Sequence, residues 1–126
     1  MRADLRDFAI RDIGCIASRR WREMRGLPPV WLPCEKHHLN AFDRHGGKRR
    51  GERYTVGLSK WSHVGHCLCG TQPVQRDCWV CKAEYGPSWH HHKREFIETF
   101  GDGDALLAYQ EQLIAEWRGK TMGVTA

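Results

Sequence analysis

The sequence lacks long apolar runs. No stretch approaches the ~20 apolar residues that a membrane-spanning helix needs, and the amino-terminal residues MRADLRDFAIRD contain no apolar stretch typical of a secretory signal. We therefore expect a cytoplasmic protein with no membrane contact. In a reducing compartment, the six cysteines are interpreted as metal ligands or core residues before disulfides.

Internal repeats, low-complexity segments and long linkers are also missing, so the 126 residues predict a single domain. The composition is 40% hydrophobic and 28% charged, which argues against wholesale disorder. A chain of this size buries only about two thirds of its unfolded surface. A bound metal ion would therefore add useful stability.

Charge is unevenly distributed. Residues 1–94 carry 18 basic and nine acidic side chains, whereas residues 95–117 carry six acids and no lysine or arginine. The basic part also contains every cysteine and every histidine. This combination indicates a partner that bears phosphates; an ordinary solvated basic surface is the alternative.

Apolar spacing predicts helices over 4–13 and 19–25 and an amphipathic helix over about 103–118, which Asp102 or Asp104 would cap. Residues 30–32 and 54–58 are predicted to be short strands, and Ser59 is placed to cap a short helix. Residues 65–87 hold four cysteines and many turn formers, as a metal-organised loop would. The fold class is therefore α+β, in one small domain.

Histidines occur at two ordered points. The strand predicted from 30–32 leads into the segment CEKHHLN and ends in His37 and His38, and the short helix ends in His63. Two histidines from a strand end and a helix can hold one divalent ion and leave positions open for phosphate and water. A neighbouring unligated imidazole can accept a proton from water. The pattern indicates phosphodiester hydrolysis if the histidines converge; surface or core histidines are the alternative.

Several segments together resemble one known family. They are GCIAS, CEKHHL, GGKRRGERYTVGLSKWSH and YGPSWHHHKREFIETFGDGDALLAYQEQLI. These segments are similar to the phage recombination-enhancement, RecA-dependent nucleases, which belong to the HNH, or ββα-metal, endonucleases. The resemblance covers about residues 13–114, and its tail is not a general HNH feature.

The resemblance implies a ββα-metal finger over about 30–64, a cysteine-rich insert over 65–87 and the helix over 103–118, within one domain of 1–126. His37 and His63 would bind a catalytic divalent cation, with magnesium expected, and His38 would be the general base. The family further implies DNA as substrate, a RecA filament as partner, phage origin and action in a bacterial host.

Two departures from the family pattern bear on stability and catalysis. The pattern has a structural zinc site of three cysteines and one histidine, but here only Cys15 matches, with Ser18, Ser59 and Ser62 at the other positions. Serine is a poor zinc ligand, so we expect no zinc there. Glu52 occupies the middle position of the HNH triad, where members of the family often have histidine. It is predicted to coordinate the cation or to orient a water.

Four other cysteines lie within fifteen residues as a CxC pair and a CxxC pair: Cys67, Cys69, Cys78 and Cys81. CxxC spacing allows two thiolates to meet one tetrahedral zinc, and the nearby pair would complete the four ligands. The sequence predicts a structural zinc ion that replaces the missing one. His66 is a competing ligand, and free buried cysteines are the alternative.

Basic residues are further candidates for contacts with DNA, and aromatic residues are candidates for the core. The loop between the two strands is predicted to contact DNA phosphates without reading sequence, or else to be a solubilising loop. Its residues are Arg44, Lys48, Arg49, Arg50 and Arg53. Arginines at 19–25 form a second basic patch, and His90–His92 are expected at the surface or facing phosphate. Core packing is predicted for Trp61, Trp79, Trp89 and Trp117.

These observations support a metal-dependent DNA endonuclease of HNH type. A different class, a catalytically degenerate zinc-stabilised module that binds DNA or protein, is favoured by the missing zinc ligands and Glu52, and is opposed by the intact histidines. A phage-borne inhibitor of a host enzyme is a third hypothesis, with no positive feature behind it.

Overall fold

The computed structural model describes residues 3–39 and 54–121, with side chains described for 5–39 and 54–120. Along these ranges the elements are α1 (Ala3–Ile13), α2 (Ile16–Met24), β1 (Glu35–His38), β2 (Thr55–Leu58), α3 (Lys60–Val64), α4 (Trp79–Tyr85), α5 (Lys93–Phe100) and α6 (Gly103–Thr121). The helices surround one two-stranded sheet. The predicted α+β class and small single domain are confirmed.

The two strands form an antiparallel pair. Glu35 faces Leu58 at one end, and His38 faces Thr55 at the other. All of β2 is buried, whereas β1 is half-buried. Because an isolated two-stranded sheet is only marginally stable in water, the pair depends on the helices packed on it. Helices α1, α2 and α6 contact β2, and α3 contacts both strands.

A side chain completes the edge of β2 that faces away from β1. The fully buried Gln110 of α6 accepts a hydrogen bond from the Gly57 N–H and donates one to the Thr55 carbonyl, both at 2.7 Å. Arg6 of α1 donates to the same carbonyl at 2.9 Å. The amide thus supplies the donor and acceptor that a third strand would provide, and it fixes α6 to the sheet.

Gly57 allows α1 to close on the sheet. A Cβ at this position would lie 2.8 Å from both the Cys34 Sγ and the Ile10 Cγ2, well inside the ~3.5–4.0 Å at which such atoms pack favourably. Helix α1, the sheet and the carboxy-terminal helices therefore share one core. Its buried residues are Ala9, Ile10, Ile13, Cys15, Ile16, Ala17, Leu39, Val56, Leu58, Phe96, Phe100, Leu106, Leu113, Ile114 and Trp117.

The four predicted helices are confirmed as α1, α2, α3 and α6, although α2 begins at Ile16 and α6 continues to Thr121. Both predicted caps are present. The Ser59 Oγ accepts a hydrogen bond from the Ser62 N–H at 3.1 Å, and the Asp102 Oδ1 accepts one from the Ala105 N–H at 2.9 Å. Side-chain oxygens in these positions satisfy amides that have no partner within the helix.

The strand predicted over 30–32 is wrong. The Leu32 carbonyl accepts a hydrogen bond from the Cys15 N–H, and the Trp31 indole donates to the Asp12 carbonyl, each at 3.0 Å. This segment is therefore bonded to the junction between α1 and α2. Pro33 has no N–H to offer a strand ladder, and the strand begins only at Glu35.

Helices α4 and α5 were not expected from the sequence, since elements of seven and eight residues give little periodicity. The prediction that 65–87 is a loop throughout is therefore wrong for the part that forms α4. The prediction that Trp79 fills the core is also wrong. Its exposed fraction is 76%, compared with 0% for Trp61. Helix α4 turns the buried Cys78 and Cys81 inward, one helical turn apart, and this leaves Trp79 on the outer side.

We predict that Gln110→Leu lowers the free energy of unfolding by about 2–4 kcal/mol, because the Gly57 N–H and the Thr55 carbonyl each lose a buried partner. Urea denaturation measures the change. Gln112→Leu is the matched control, since Gln112 is exposed on the same helix and its replacement should change stability by less than about 0.5 kcal/mol. Equal effects of the two variants would contradict the proposed bonding.

Candidate active site and metal centre

The end of β1 and the short helix α3 bring His37 and His63 together. Their ring centroids are 4.8 Å apart, and the rings meet edge to face. Helix α3 follows β2 after a single residue, Ser59, whose side chain caps it. The hairpin and the cap therefore fix the two imidazoles relative to each other. This is the convergence that the hydrolytic hypothesis requires of these two residues.

Glu35 is part of the same group, and sequence analysis missed it. Its Oε1 lies 2.9 Å from the His63 Nδ1. Glu35 and His37 are two residues apart on β1, so their side chains leave the same face of the strand. A carboxylate only accepts hydrogen bonds, so Nδ1 of His63 donates to it, and in the neutral ring Nε2 keeps its lone pair. Glu35, His37 and His63 are called the histidine site below.

His37 is held in its neutral form. The pKa of His37 is lowered from 6.5 to about 4, first by burial and then by the nearby His63, His38 and Lys93, in that order of importance. At neutral pH its imidazole therefore has a free lone pair, which a metal ligand needs. His38 is the last residue of β1, and it lies close enough to His37 to contribute to the lowered pKa of that ring. Its predicted role as general base stays a prediction.

Trp89 and Lys93 form one wall of the histidine site, and the sequence prediction gave neither of them a role there. The Trp89 ring lies 5.6 Å from the His37 ring, and the Lys93 Nζ lies 4.6 Å from the Trp89 ring centroid. The backbone N–H of Trp89 donates to the backbone carbonyl of Ser62 at 2.8 Å, and this bond connects the wall to α3.

Some predicted site residues lie outside the described residues. These are Glu52 and the basic loop residues Arg44, Lys48, Arg49, Arg50 and Arg53. Their predicted roles in catalysis and DNA binding stay predictions.

The second candidate site consists of Cys67, Cys69, Cys78 and Cys81, called the thiolate cluster below. Their sulfur atoms all lie within 4.8 Å of one another. Three of the pairs are 3.5, 3.6 and 3.9 Å apart. A tetrahedral zinc ion with Zn–S bonds of about 2.3 Å separates its sulfurs by about 3.8 Å. The spacing therefore fits one zinc ion, and the cysteines are free thiols rather than disulfides.

Local hydrogen bonds favour the thiolate form of Cys67 in this cluster. Burial raises the pKa of Cys67, but hydrogen bonds from the backbone of Gln72 and Gly70 and from neighbouring thiols outweigh it, and the pKa falls to about 6. The Cys81 Sγ accepts a hydrogen bond from the Leu68 N–H at 3.2 Å. Burial, together with hydrogen bonds to the Cys69 and Cys78 thiols, raises the pKa of Cys81 to about 12, so a metal ion would be needed to ionise all four thiols.

His66 does not join the thiolate cluster. Its Nε2 lies 2.7 Å from the Gln75 Nε2, and the group of four mutually close metal ligands consists of the cysteines without His66. His90 is exposed, as expected. His91 lies 2.9 Å from the Gly65 carbonyl, and His92 lies 2.9 Å from Asp77, the residue before Cys78. The histidine run thus links Trp89 to the thiolate cluster.

The family model for recombination enhancement, RecA-dependent nucleases matches residues 2–115. The chain belongs to this family. No curated protein and no solved structure matches it. The description of the RecA-dependent nuclease family implies nuclease activity in recombination, with involvement of RecA and DNA. None of the described helices is both long and apolar enough to span a membrane.

In this RecA-dependent nuclease family member, the four positions at which the resemblance implied zinc ligands are neighbours in space. The Cys15 Sγ lies 3.2 Å from the Ser18 Oγ and 3.4 Å from the Ser62 Oγ, and the Ser59 Oγ donates to the Ser62 Oγ at 3.2 Å. All four side chains are buried. They satisfy one another by hydrogen bonds, and three hydroxyls with one thiol are a poor donor set for zinc.

We predict that the purified protein contains at least one tightly bound zinc ion per chain and that Cys67→Ser lowers this content, because three thiolates remain. Metal analysis after gel filtration measures the ratio. Cys34→Ser is the control. Burial raises the pKa of Cys34 to about 11, so it stays a neutral thiol outside the cluster. Unchanged zinc content and stability in Cys67→Ser would refute the zinc site.

Acid should destabilise the protein through His37. The folded-state pKa of about 4 lies below the unfolded value of 6.5, so the unfolded state takes up this proton first and stability falls as pH drops from 6.5 to 4. The loss attributable to His37 is up to about 3 kcal/mol. Urea denaturation across this range, without added divalent metal, should show a steeper pH dependence for the parent than for His37→Asn. Parallel profiles would contradict the shift.

Proposed function

We propose that this protein is a divalent-metal-dependent DNA endonuclease of the HNH type, encoded by a phage and acting with a RecA filament. The convergence of His37 from β1 and His63 from α3 carries the proposal. The order β1, β2, α3 supports it because a ββα-metal finger needs a hairpin followed by a helix that supplies a ligand. Membership of a nuclease family adds independent support.

The residues present fit a cation at the histidine site. His37 is neutral, and the Glu35 carboxylate leaves the His63 Nε2 free to bind. Imidazole ligands suit zinc, nickel or iron better than magnesium. A magnesium ion, the cation expected from the family, would therefore take most of its ligands from water and phosphate oxygens. When bound, the cation would polarise the phosphate and stabilise charge on the leaving oxygen.

The chain's own residues supply positioning and proton transfer. Glu35 orients His63, and Trp89 packs beside His37. His38 accepts a proton from the attacking water, whose oxygen forms a bond to phosphorus while the bond to the 3′-oxygen breaks. Glu52 would orient this water or contact the cation. The loop containing Arg44, Lys48, Arg49, Arg50 and Arg53 would hold phosphates without reading sequence.

Zinc in the thiolate cluster would have a structural role. Its four thiolate ligands would leave no open position for substrate, whereas catalytic zinc sites keep one. The cluster also lies at the amino terminus of α4 and connects through Asp77 and His92 to the segment carrying Trp89. We therefore assign catalysis to the histidine site together with His38 and Glu52, and not to the thiolate cluster.

We predict that the protein cleaves displacement-loop DNA in the presence of RecA and Mg²⁺ and that His38→Ala reduces the rate by about 10²–10⁴-fold, since a general base contributes that much. Gel electrophoresis of end-labelled DNA measures the rate. His90→Ala is the control, because this exposed histidine lies outside the histidine site and its loss should leave cleavage unchanged. Mn²⁺ and Ni²⁺ should be compared with Mg²⁺.

Equal cleavage by the parent and His38→Ala would defeat the catalytic assignment. A parent protein that shifts DNA in a gel after removal of exchangeable metal, yet cleaves none with any of the three cations, would instead support the catalytically degenerate zinc-stabilised binding module. The intact pairing of Glu35, His37 and His63 favours the nuclease over this alternative.

A further inference from the structure

Trp89 contacts both His37 and an exposed cation. One contact of its ring is with His37, at 5.6 Å between centroids, and the other is with the Lys93 ammonium, 4.6 Å from the ring centroid. The two contacts place the ammonium at most about 10 Å from the His37 ring, which is about one Debye length at 0.1 M salt. A phosphate bound at the histidine site would therefore experience the charge of Lys93.

Lys93 has no evident role in stabilising the fold. The neighbouring cations pair with carboxylates: Lys82 with Glu95 and Arg94 with Glu98. Within residues 5–39 and 54–120, by contrast, no ion pair includes Lys93. It also stands in the first turn of α5, where a positive charge opposes the helix dipole. Helix stability therefore does not explain a lysine at this position, whereas binding of an anionic ligand does.

We infer that Lys93, held over the Trp89 ring, binds the phosphodiester backbone of the DNA strand at the histidine site. The inference rests on the proposed function and deepens it by naming a substrate contact. A cation–π contact with tryptophan restricts a flexible lysine at little cost in hydration. Less side-chain entropy is then lost when the ammonium meets a phosphate. Such a contact positions the strand and carries no sequence preference.

The test measures DNA affinity without cleavage. In a His38→Ala background with Mg²⁺, fluorescence anisotropy gives the Kd for labelled displacement-loop DNA at several NaCl concentrations. Lys93→Ala should weaken binding about 5-fold and reduce the slope of log Kd against log salt by about one, as expected for the loss of one phosphate contact. Lys93→Arg should restore both values.

Arg94→Ala is the matched control. It removes the same charge from the next residue, but Arg94 is 94% exposed and pairs with Glu98. Loss of general electrostatic attraction would change Kd and the salt slope equally in both variants. The contact is therefore supported only if Lys93→Ala changes them more than Arg94→Ala does. Equal Kd values and equal salt slopes for the two alanine variants would overturn the inference and leave the nuclease proposal standing. Failure of the His38→Ala protein to bind DNA would overturn both.

Discussion

The pairing of the Gln110 amide with β2 is the interaction on which the candidate active site depends. Two strands alone make a weak sheet, and β1, which carries Glu35 and His37, has no other strand than β2 in the part of the chain that the structure describes. The buried amide closes the second edge of β2 and joins it to α6. A helix remote from the histidines thus determines whether their strand has a fixed position.

The elements that could be predicted from the sequence are those that depend on residues close together along the chain. The caps at Ser59 and Asp102, the apolar stripe of α6 and the CxC and CxxC pairs each follow from spacing alone. Glu35, Trp89 and Lys93 could not be found in this way, because the contact between Glu35 and His63 spans 28 residues and depends on the register of the hairpin. The strand at 30–32 failed for a similar reason: bonds to a helix junction decided its conformation.

Two side-chain clusters, one partly and one fully buried, stabilise this small fold in different ways. In the thiolate cluster, the negative charges of the ligands require a cation. In the cluster of Cys15, Ser18, Ser59 and Ser62, neutral groups satisfy one another, and no charge is buried. The second arrangement lies directly under α3, so the helix bearing His63 is supported by hydrogen bonds rather than by metal coordination.

Gly57 has a consequence for how this chain can vary over time. The space beside it is filled by Ile10 and Cys34 so closely that even one methyl group would force these side chains, or α1 itself, to shift. Substitutions of Gly57, in the middle of the sheet, are therefore not expected to be neutral. A larger residue at this position would require smaller residues at both Ile10 and Cys34 at the same time. The close contact of helix and strand therefore restricts the substitutions that this chain can accept.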